Sequence, residues 1–175
     1  MWKCPKCGRT FKNENQSHFC GKAPETVDEY ILTRFETARK WLIFWTLFIG
    51  IGAVAGGLSM ILDPSGKILH MDGMLPFFRK LPFADVLFRD FLFSGFALLV
   101  VNGLTNLTAA VLLCRKKKIG VILGGIFGVT LMLWICIQFY MFPLNFMSSA
   151  YFVFGLCQAI TGYAAFRRKP SRIRL

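Results

Sequence analysis

The stretch WLIFWTLFIGIGAVAGGLSMIL, residues 41–62, is 22 residues long and contains no charged side chain. Three similar stretches follow it, at residues 91–114, 119–141 and 144–166. A helix needs roughly 20 residues to cross the hydrocarbon core of a bilayer, so each stretch is long enough to span it. The apolar residues run continuously and do not alternate, which favours helices over barrel strands. The sequence therefore predicts an all-α membrane protein with a four-helix transmembrane bundle at residues 41–166.

Composition supports a membrane protein and excludes two other classes. Of the 175 residues, 55% are hydrophobic and 17% are charged, and the mean hydropathy is +0.52. A disordered chain would be poor in hydrophobic residues. A soluble domain of this length would have too little interior to bury so many Phe, Leu and Ile side chains. The first apolar stretch begins only at residue 41, which is not the pattern of a secretory signal peptide.

The distribution of basic residues predicts the orientation. Of the 21 Lys and Arg, 17 lie before residue 41, at residues 115–118 or after residue 166. The connection 63–90 instead balances four basic residues with four acidic ones. Because cytoplasmic loops carry an excess of Lys and Arg, four spans with both ends inside satisfy the rule at every loop. We expect a multi-pass plasma-membrane protein with cytoplasmic N- and C-termini and a basic tail at residues 167–175.

The net charge of +12 also bears on partners. A basic chain can bind nucleic acid. Here the basic residues flank the spans, where topology and attraction to anionic headgroups account for them. Membrane lipids are therefore expected partners, and nucleic acid is not.

Residues 1–23 form a much smaller unit with the spacing of a metal site. Cys4 and Cys7 are separated by two residues, and His18 and Cys20 follow after a short loop. Two pairs of thiolate and imidazole ligands suit tetrahedral zinc. A unit of this size cannot fold by burying a core alone and needs a staple such as a metal. We predict a structural zinc finger with these four ligands.

Alternatives stay open for this unit. The cysteines could form disulfides, although a cytoplasmic face is reducing. Cys4 and Cys7 could be a redox pair, although the βαβ context of that motif is missing. The second pair has one intervening residue rather than two, so a water or another thiol would complete the site if His18 did not reach the ion. Gly8, directly after Cys7, favours the metal because it allows a turn that aims backbone amides at the sulfurs.

The run WKCPKCGRTFKNENQSHFCG, residues 2–21, resembles a short zinc-ribbon-like finger found in bacterial proteins of unknown function. In those proteins it precedes a stretch similar to TVDEY, residues 26–30. The resemblance covers residues 1–30 and implies a zinc site at Cys4, Cys7, His18 and Cys20, but no activity. The membrane part is loosely similar to small four-span bacterial membrane proteins.

Residues 24–40 predict an amphipathic connector helix. Thr26 and Glu29 have the spacing of a capping box. Apolar residues recur at helical spacing on one face, including Val27, Ile31 and Phe35. The segment is interpreted either as an interfacial helix or as an extension of the first span.

Four amide side chains in the spans predict a candidate polar pocket. Asn102 and Asn106 are four residues apart in the second stretch, Gln138 lies near the outer end of the third, and Gln158 lies in the inner half of the fourth. Amides in hydrocarbon need hydrogen-bond partners, so we expect these side chains to point into the bundle. They would either hold the helices together or line a pocket for a lipid, a quinone or a small solute.

Glycines in the spans predict close helix packing. Gly52 and Gly56 form one Gly-xxx-Gly pair, and Gly120, Gly124 and Gly128 form two more. Small residues at this spacing let helices approach closely. They would pack helices within the bundle or between copies of a homo-oligomer.

Three functions follow from these features, in this order. The first is a non-enzymatic membrane protein whose cytoplasmic zinc finger contacts a protein partner or supports assembly. The second is a small carrier or lipid- or quinone-binding bundle with a polar pocket. The third is an intramembrane enzyme, for which the chain contains no Gly-x-Ser-x-Gly, Walker or HExxH motif, so no catalytic residue is predicted.

Overall fold

A computed structural model of the chain describes residues 1–5, 8–12, 27–80, 84–142 and 144–168. Near the N-terminus, β1 (Trp2–Lys3) pairs antiparallel with β2 (Thr10–Phe11). Helices make up most of the other described residues. In chain order they are α1 (Val27–Leu62), a 3-10 helix (Asp72–Lys80), α2 (Ala84–Leu87), α3 (Leu92–Leu98), a π-helical segment (Leu99–Leu104), α4 (Thr105–Cys114), α5 (Lys118–Met141) and α6 (Phe146–Arg167).

Four helices of the described chain are long and apolar enough to cross a membrane. They cover Tyr30–Leu62, Leu92–Cys114, Lys118–Met141 and Phe146–Arg167. Leu92–Cys114 joins α3, the π-helical segment and α4 into one rod, which we call the second span. The expected helical class and the four apolar helices are confirmed, and the chain has the architecture of a multi-pass membrane protein.

The connector segment and the first apolar stretch form one helix. α1 runs without a break from Val27 to Leu62. Its 36 residues are about 54 Å long, which exceeds the roughly 30 Å of a hydrocarbon core. The described part of the connector is therefore an extension of the first span. The predicted cap at Thr26 lies outside the described residues.

One end of the bundle gathers segments that are far apart in sequence. Buried apolar side chains from α1, the end of the second span, the start of α5 and the end of α6 form one cluster: Phe35, Ala38, Leu42, Leu113, Val121 and Ala165. Arg39 ties this cluster together, because its guanidinium donates to the Leu113 carbonyl at 2.8 Å and pairs with the Glu36 carboxylate at 2.6 Å. The same carbonyl also accepts from the Lys116 N–H at 3.0 Å, so Arg39 is a second donor at the end of the second span.

Exposed basic side chains surround this cluster, and we call this the basic end. They belong to α1, to the turn before α5 and to the end of α6: Arg34, Lys40, Arg115, Lys116, Lys117, Lys118, Arg167 and Arg168. The chain reverses between α4 and α5 through Lys116, which has a left-handed φ of +55°. Glycine usually occupies this position after a helix, because other residues are strained at a positive φ. The sequence has a charged lysine here instead.

The opposite end is closed by the connection between α1 and the second span. The 3-10 helix packs Phe78 onto a buried aromatic and methionine cluster that includes Phe91 and Met141. Gly66 has a φ of +76°, and a Cβ there would lie 2.6 Å from the Phe91 ring, so glycine is required at this turn. The Asp63 carboxylate holds the same turn in place by accepting hydrogen bonds from Ser65 and from the Ile68 N–H.

Glycines set the closest helix contacts of the bundle. A Cβ on Gly128 would lie 2.7 Å from the backbone nitrogen of Ala159 on α6. On α1 the tightest position is Gly57, where a Cβ would lie 2.9 Å from a backbone carbonyl of the second span. The predicted pair Gly52 and Gly56 meets only side-chain atoms, at 3.2 and 3.5 Å. All of these contacts are within one chain, and a homo-oligomer stays a prediction.

We expect Gly128→Ala to destabilise the bundle, because the added methyl would meet backbone rather than a flexible side chain. Overpacking of this kind costs about 1–3 kcal/mol, which lowers the melting temperature by roughly 2–10 °C in a chain of this size. Gly56→Ala is the matched control, because its nearest contact at 3.5 Å is ordinary. Thermal unfolding in detergent measures both. Equal melting temperatures for the two variants would contradict the packing at Gly128.

The Asp63 turn gives a prediction about pH. The Ser65 hydroxyl and the Ile68 N–H donate to the charged carboxylate, at 2.5 and 2.8 Å, and lower the pKa of Asp63 below its ordinary value. The turn is therefore fully stabilised above the ordinary carboxyl pKa and loses this stabilisation as the pH falls through the lowered pKa. We expect Asp63→Asn to speed hydrogen exchange of the Ile68 amide at neutral pH. Asp72→Asn, at an exposed carboxylate in the same connection, should leave that amide unchanged.

Candidate functional site

The N-terminal hairpin holds a buried Cys4 in a tight turn whose other described residues are exposed. The pairing places Trp2 opposite Phe11, with ring centroids 6.0 Å apart. The Gly8 N–H donates to the Cys4 carbonyl at 2.8 Å, and the Cys4 N–H donates to the Arg9 carbonyl at 2.9 Å. Gly8 has the positive φ expected of it, at +72°, and Cys4 is buried. This geometry suits the first half of a metal site, because it brings the chain back on itself around the cysteine.

The zinc site itself stays a prediction. The other expected ligands, Cys7, His18 and Cys20, lie outside the described residues. Within the part of the chain that the structure describes, no three His, Cys, Asp or Glu side chains come together in a way that could hold a metal ion.

A chain of amide hydrogen bonds forms a second candidate site, inside the bundle. The Gln158 Nε2 donates to Asn106 Oδ1 and to the Gly124 carbonyl, both at 2.7 Å. The Asn106 Nδ2 donates to the Asn102 carbonyl at 2.8 Å. All three amide side chains are completely buried. These hydrogen bonds join the second span to α5 and α6. We call the three buried side chains, Asn102, Asn106 and Gln158, the amide cluster.

All four spans meet at the amide cluster. On α1, a Cβ at Gly50 would lie only 3.3 Å from the Asn106 Cβ, so the glycine lets α1 pack directly on the cluster. At 1.5 Å per residue from the basic end, Gly124, Asn106 and Gln158 lie about 9–14 Å deep and Asn102 about 18 Å deep. In a hydrocarbon core roughly 30 Å thick, these depths correspond to the middle and to the half nearer the basic end.

Asn102 lies in the π-helical segment, Leu99–Leu104, that interrupts the second span. Such segments shift the backbone hydrogen bonds by one residue and often occur at functional sites. Hydrogen-bonding side chains one turn later donate to carbonyls of this region: Thr105 to Val101, Asn106 to Asn102 and Thr108 to Leu104.

The periodicity of apolar residues in the sequence could not reveal this π-helical segment. The available signal is the run NGLTNLT, residues 102–108, whose side chains can reach back to the carbonyl one turn earlier.

Three polar atoms of the amide cluster have no hydrogen-bond partner within the described part of the chain. They are Asn102 Nδ2, Asn102 Oδ1 and Gln158 Oε1. The orientation of the Gln158 amide is fixed, because both acceptors at 2.7 Å require its nitrogen. A buried polar group without a partner costs about 1–3 kcal/mol. The cluster therefore contains one donor group and two acceptors whose hydrogen bonds are not made within the described chain.

The structure does not bring Gln138 to this cluster. Its Oε1 accepts from the Ser148 hydroxyl at 3.1 Å, near the turn between α5 and α6 at the end of the bundle opposite the basic end. Ser148 also donates its N–H to Asn145, which caps α6, at 2.8 Å. Gln138 is about 21 Å from Gly124 along α5. The four predicted pocket residues thus divide into the amide cluster and a separate contact of Gln138 at the end opposite the basic end.

Comparisons with protein-family models, with curated proteins and with solved structures find no match to this chain. Function is therefore inferred from the chemistry of its own residues. The four apolar stretches contain no Asp, Glu, His, Lys or Arg. Neutral amides can hold a neutral guest by hydrogen bonds, but they do not supply the acid, base or nucleophile of a catalytic site.

We expect Asn106 and Gln158 to be energetically coupled. Asn106→Leu and Gln158→Leu should each destabilise the bundle, because each leaves its partner amide buried without its hydrogen bond. The double variant should lose less than the sum, with a coupling of about 0.6–1.7 kcal/mol, as for other hydrogen bonds between membrane helices. The control pair is Gln138→Leu with Gln158→Leu, which should be additive within about 0.5 kcal/mol. Unfolding by dodecyl sulfate in mixed micelles measures the free energies of the unaltered protein, the three single variants and the two double variants. Additivity of the first pair would refute the coupling.

Proposed function

We propose that this protein is a multi-pass plasma-membrane protein whose cytoplasmic finger, residues 1–23, is a zinc-stabilised module for contact with a protein partner or for assembly. The observation that carries the proposal is the tight turn that buries Cys4. The hairpin closes on this cysteine through two backbone hydrogen bonds and a glycine with positive φ. Ordering so short a segment costs conformational entropy that its small buried area does not repay, so an additional interaction at the cysteine is expected.

Zinc accounts for the residue types of the finger. Cys4 and Cys7 would hold the ion from the first pair, and His18 and Cys20 from the second. Four protein ligands leave no open coordination position, so the zinc would be structural rather than catalytic. Its role would be to fold a segment that is too small to fold alone.

The basic end supports a cytoplasmic position for both termini. Basic side chains from three separate segments lie together at this end. The cytoplasmic leaflet carries anionic lipids, which attract each nearby Lys or Arg by about 1 kcal/mol. Lys116 keeps its charge at a turn where glycine would be less strained, which fits selection for charge at this surface.

A second candidate function is a small carrier or a lipid- or quinone-binding bundle. The observation that favours it is the set of three unpartnered polar atoms in the amide cluster. Hydrogen bonds that only held the helices together would be complete, as they are for Asn106. An intramembrane enzyme remains third, because the cluster has no group that could act as acid, base or nucleophile.

The experiment that tests the finger is metal analysis of the full-length protein, purified under reducing conditions without chelators. We expect about one zinc per chain, as a single four-ligand site requires. Cys4→Ser should lose most of it and keep the helical content of the bundle. Cys136→Ser is the matched control, because Cys136 is an exposed cysteine of α5, far from the finger in sequence. Absence of zinc from the unaltered protein would overturn the metal site.

The same variants test the role of the finger and its side of the membrane. If the finger is an interaction module, Cys4→Ser should change the subunit number or lose a stoichiometric partner in native mass spectrometry, whereas Cys136→Ser should not. In sealed inside-out vesicles, a membrane-impermeant maleimide should label Cys4 only after zinc is chelated. Labelling of Cys4 in right-side-out vesicles would refute the cytoplasmic position. An unchanged assembly in Cys4→Ser would leave the zinc with a purely structural role and refute the module.

A further inference from the structure

We propose that the amide cluster binds one neutral, hydroxyl-bearing membrane molecule, a quinol or a lipid alcohol, through Asn102 and Gln158. This inference rests on the second candidate function above and is independent of the finger. It names the residues that bind and the chemical class of the guest. Asn106 has a different role, because its hydrogen bonds to Gln158 and to the Asn102 carbonyl are internal and position the other two side chains.

The donor and acceptor pattern selects a hydroxyl group. Two of the unpartnered atoms are acceptors, Asn102 Oδ1 and Gln158 Oε1, and the third, Asn102 Nδ2, is a donor. A hydroxyl donates one hydrogen bond and accepts others, so it can satisfy both kinds of atom. An oxidised quinone carries only carbonyl acceptors and would leave both amide oxygens without a donor.

The absence of charge around the cluster selects a neutral guest. The sequence of all four apolar stretches is free of Asp, Glu, Lys and Arg. Asn102, Asn106 and Gln158 are each 0% exposed, so bulk water would not screen a charge placed at this site. A charged guest would lose its hydration without gaining a counter-charge, which is far more costly than burying a hydroxyl.

The π-helical segment is where we expect a guest to enter from the bilayer. Val100 and Leu104 are each 51% exposed on the outer surface of this segment, whereas Asn102 and Gly103 are buried on its inner side. The segment therefore separates the surface that would face lipid from the amide cluster by one thickness of helix. Its shifted hydrogen bonds make it the natural place for the second span to adjust when a guest enters.

Asn102 is also a favourable position for substitution. Its side chain makes no hydrogen bond within the described chain, and its backbone carbonyl would still accept from Asn106 after substitution. Asn102→Leu should therefore fold. In protein stripped of small molecules it should melt about 2–8 °C higher than the unaltered protein, because the unpaired buried amide is gone.

The binding experiment uses full-length protein in detergent micelles and three probes. These are ubiquinol with a single isoprene unit, kept reduced under argon, the corresponding oxidised ubiquinone, and farnesol as an isoprenoid alcohol. Equilibrium dialysis should show one quinol or one farnesol per chain, with the oxidised quinone at least about tenfold weaker because it cannot donate to the two amide oxygens. Binding of only one of the two hydroxyl probes identifies the source of the hydroxyl and supports the inference.

Variants locate the site. Asn102→Leu and Gln158→Leu should each weaken binding of the hydroxyl probe at least about tenfold. Gln138→Leu is the matched control, because it removes an amide that is bonded to Ser148 at the outer end, and it should leave binding unchanged. Asn102→Leu decides the result if Gln158→Leu fails to fold.

Three other outcomes would refute, respectively, the hydroxyl class of the guest, the location of the site, and the binding function itself. Equal affinity for quinol and oxidised quinone would refute the hydroxyl class and leave the quinone-binding function standing. Binding that survives both Asn102→Leu and Gln158→Leu would refute the amide cluster as the site. Binding of none of the probes, together with a melting temperature that Asn102→Leu does not raise, would show that the amides are satisfied by water alone. That result would refute both the inference and the second candidate function.

Discussion

The hydrogen bonds from the Gln158 amide are the constraint on which the bundle depends. In lipid, the hydrophobic effect does not draw helices together, so packing and polar contacts must do so. The Gln158 nitrogen needs an acceptor on the second span and another on α5, each at 2.7 Å. Meeting both fixes the rotation and height of three helices at once.

Glycines and one arginine make this arrangement possible. Gly50 lets α1 reach the Cβ of Asn106, and Gly128 lets α5 and α6 touch along their backbones. At the basic end, Arg39 binds the Leu113 carbonyl and so holds α1 against the end of the second span. The 36 residues of α1 therefore connect the basic end to the amide cluster as one unbroken helix.

Sequence reasoning predicted the spans well because length and apolarity alone decide whether a helix can cross a bilayer. It also predicted that Asn102, Asn106 and Gln158 point inward, since an amide facing lipid would lack partners. It could not predict which amides meet, because that depends on helix register, and Gln138 instead contacts Ser148. The π-helical segment was missed for another reason: one shifted backbone bond does not change the apolar pattern.

The contrast between Asn106 and Asn102 distinguishes cohesion from binding. Asn106 uses both ends of its amide on neighbouring helix atoms, which is what a residue selected for cohesion should do. Asn102, one turn away and equally buried, uses neither end of its side chain within the described chain. A leucine there would avoid the cost of a buried, unpaired amide. Stability alone therefore does not explain an asparagine at this position, whereas the hydroxyl-bearing guest proposed above would explain it.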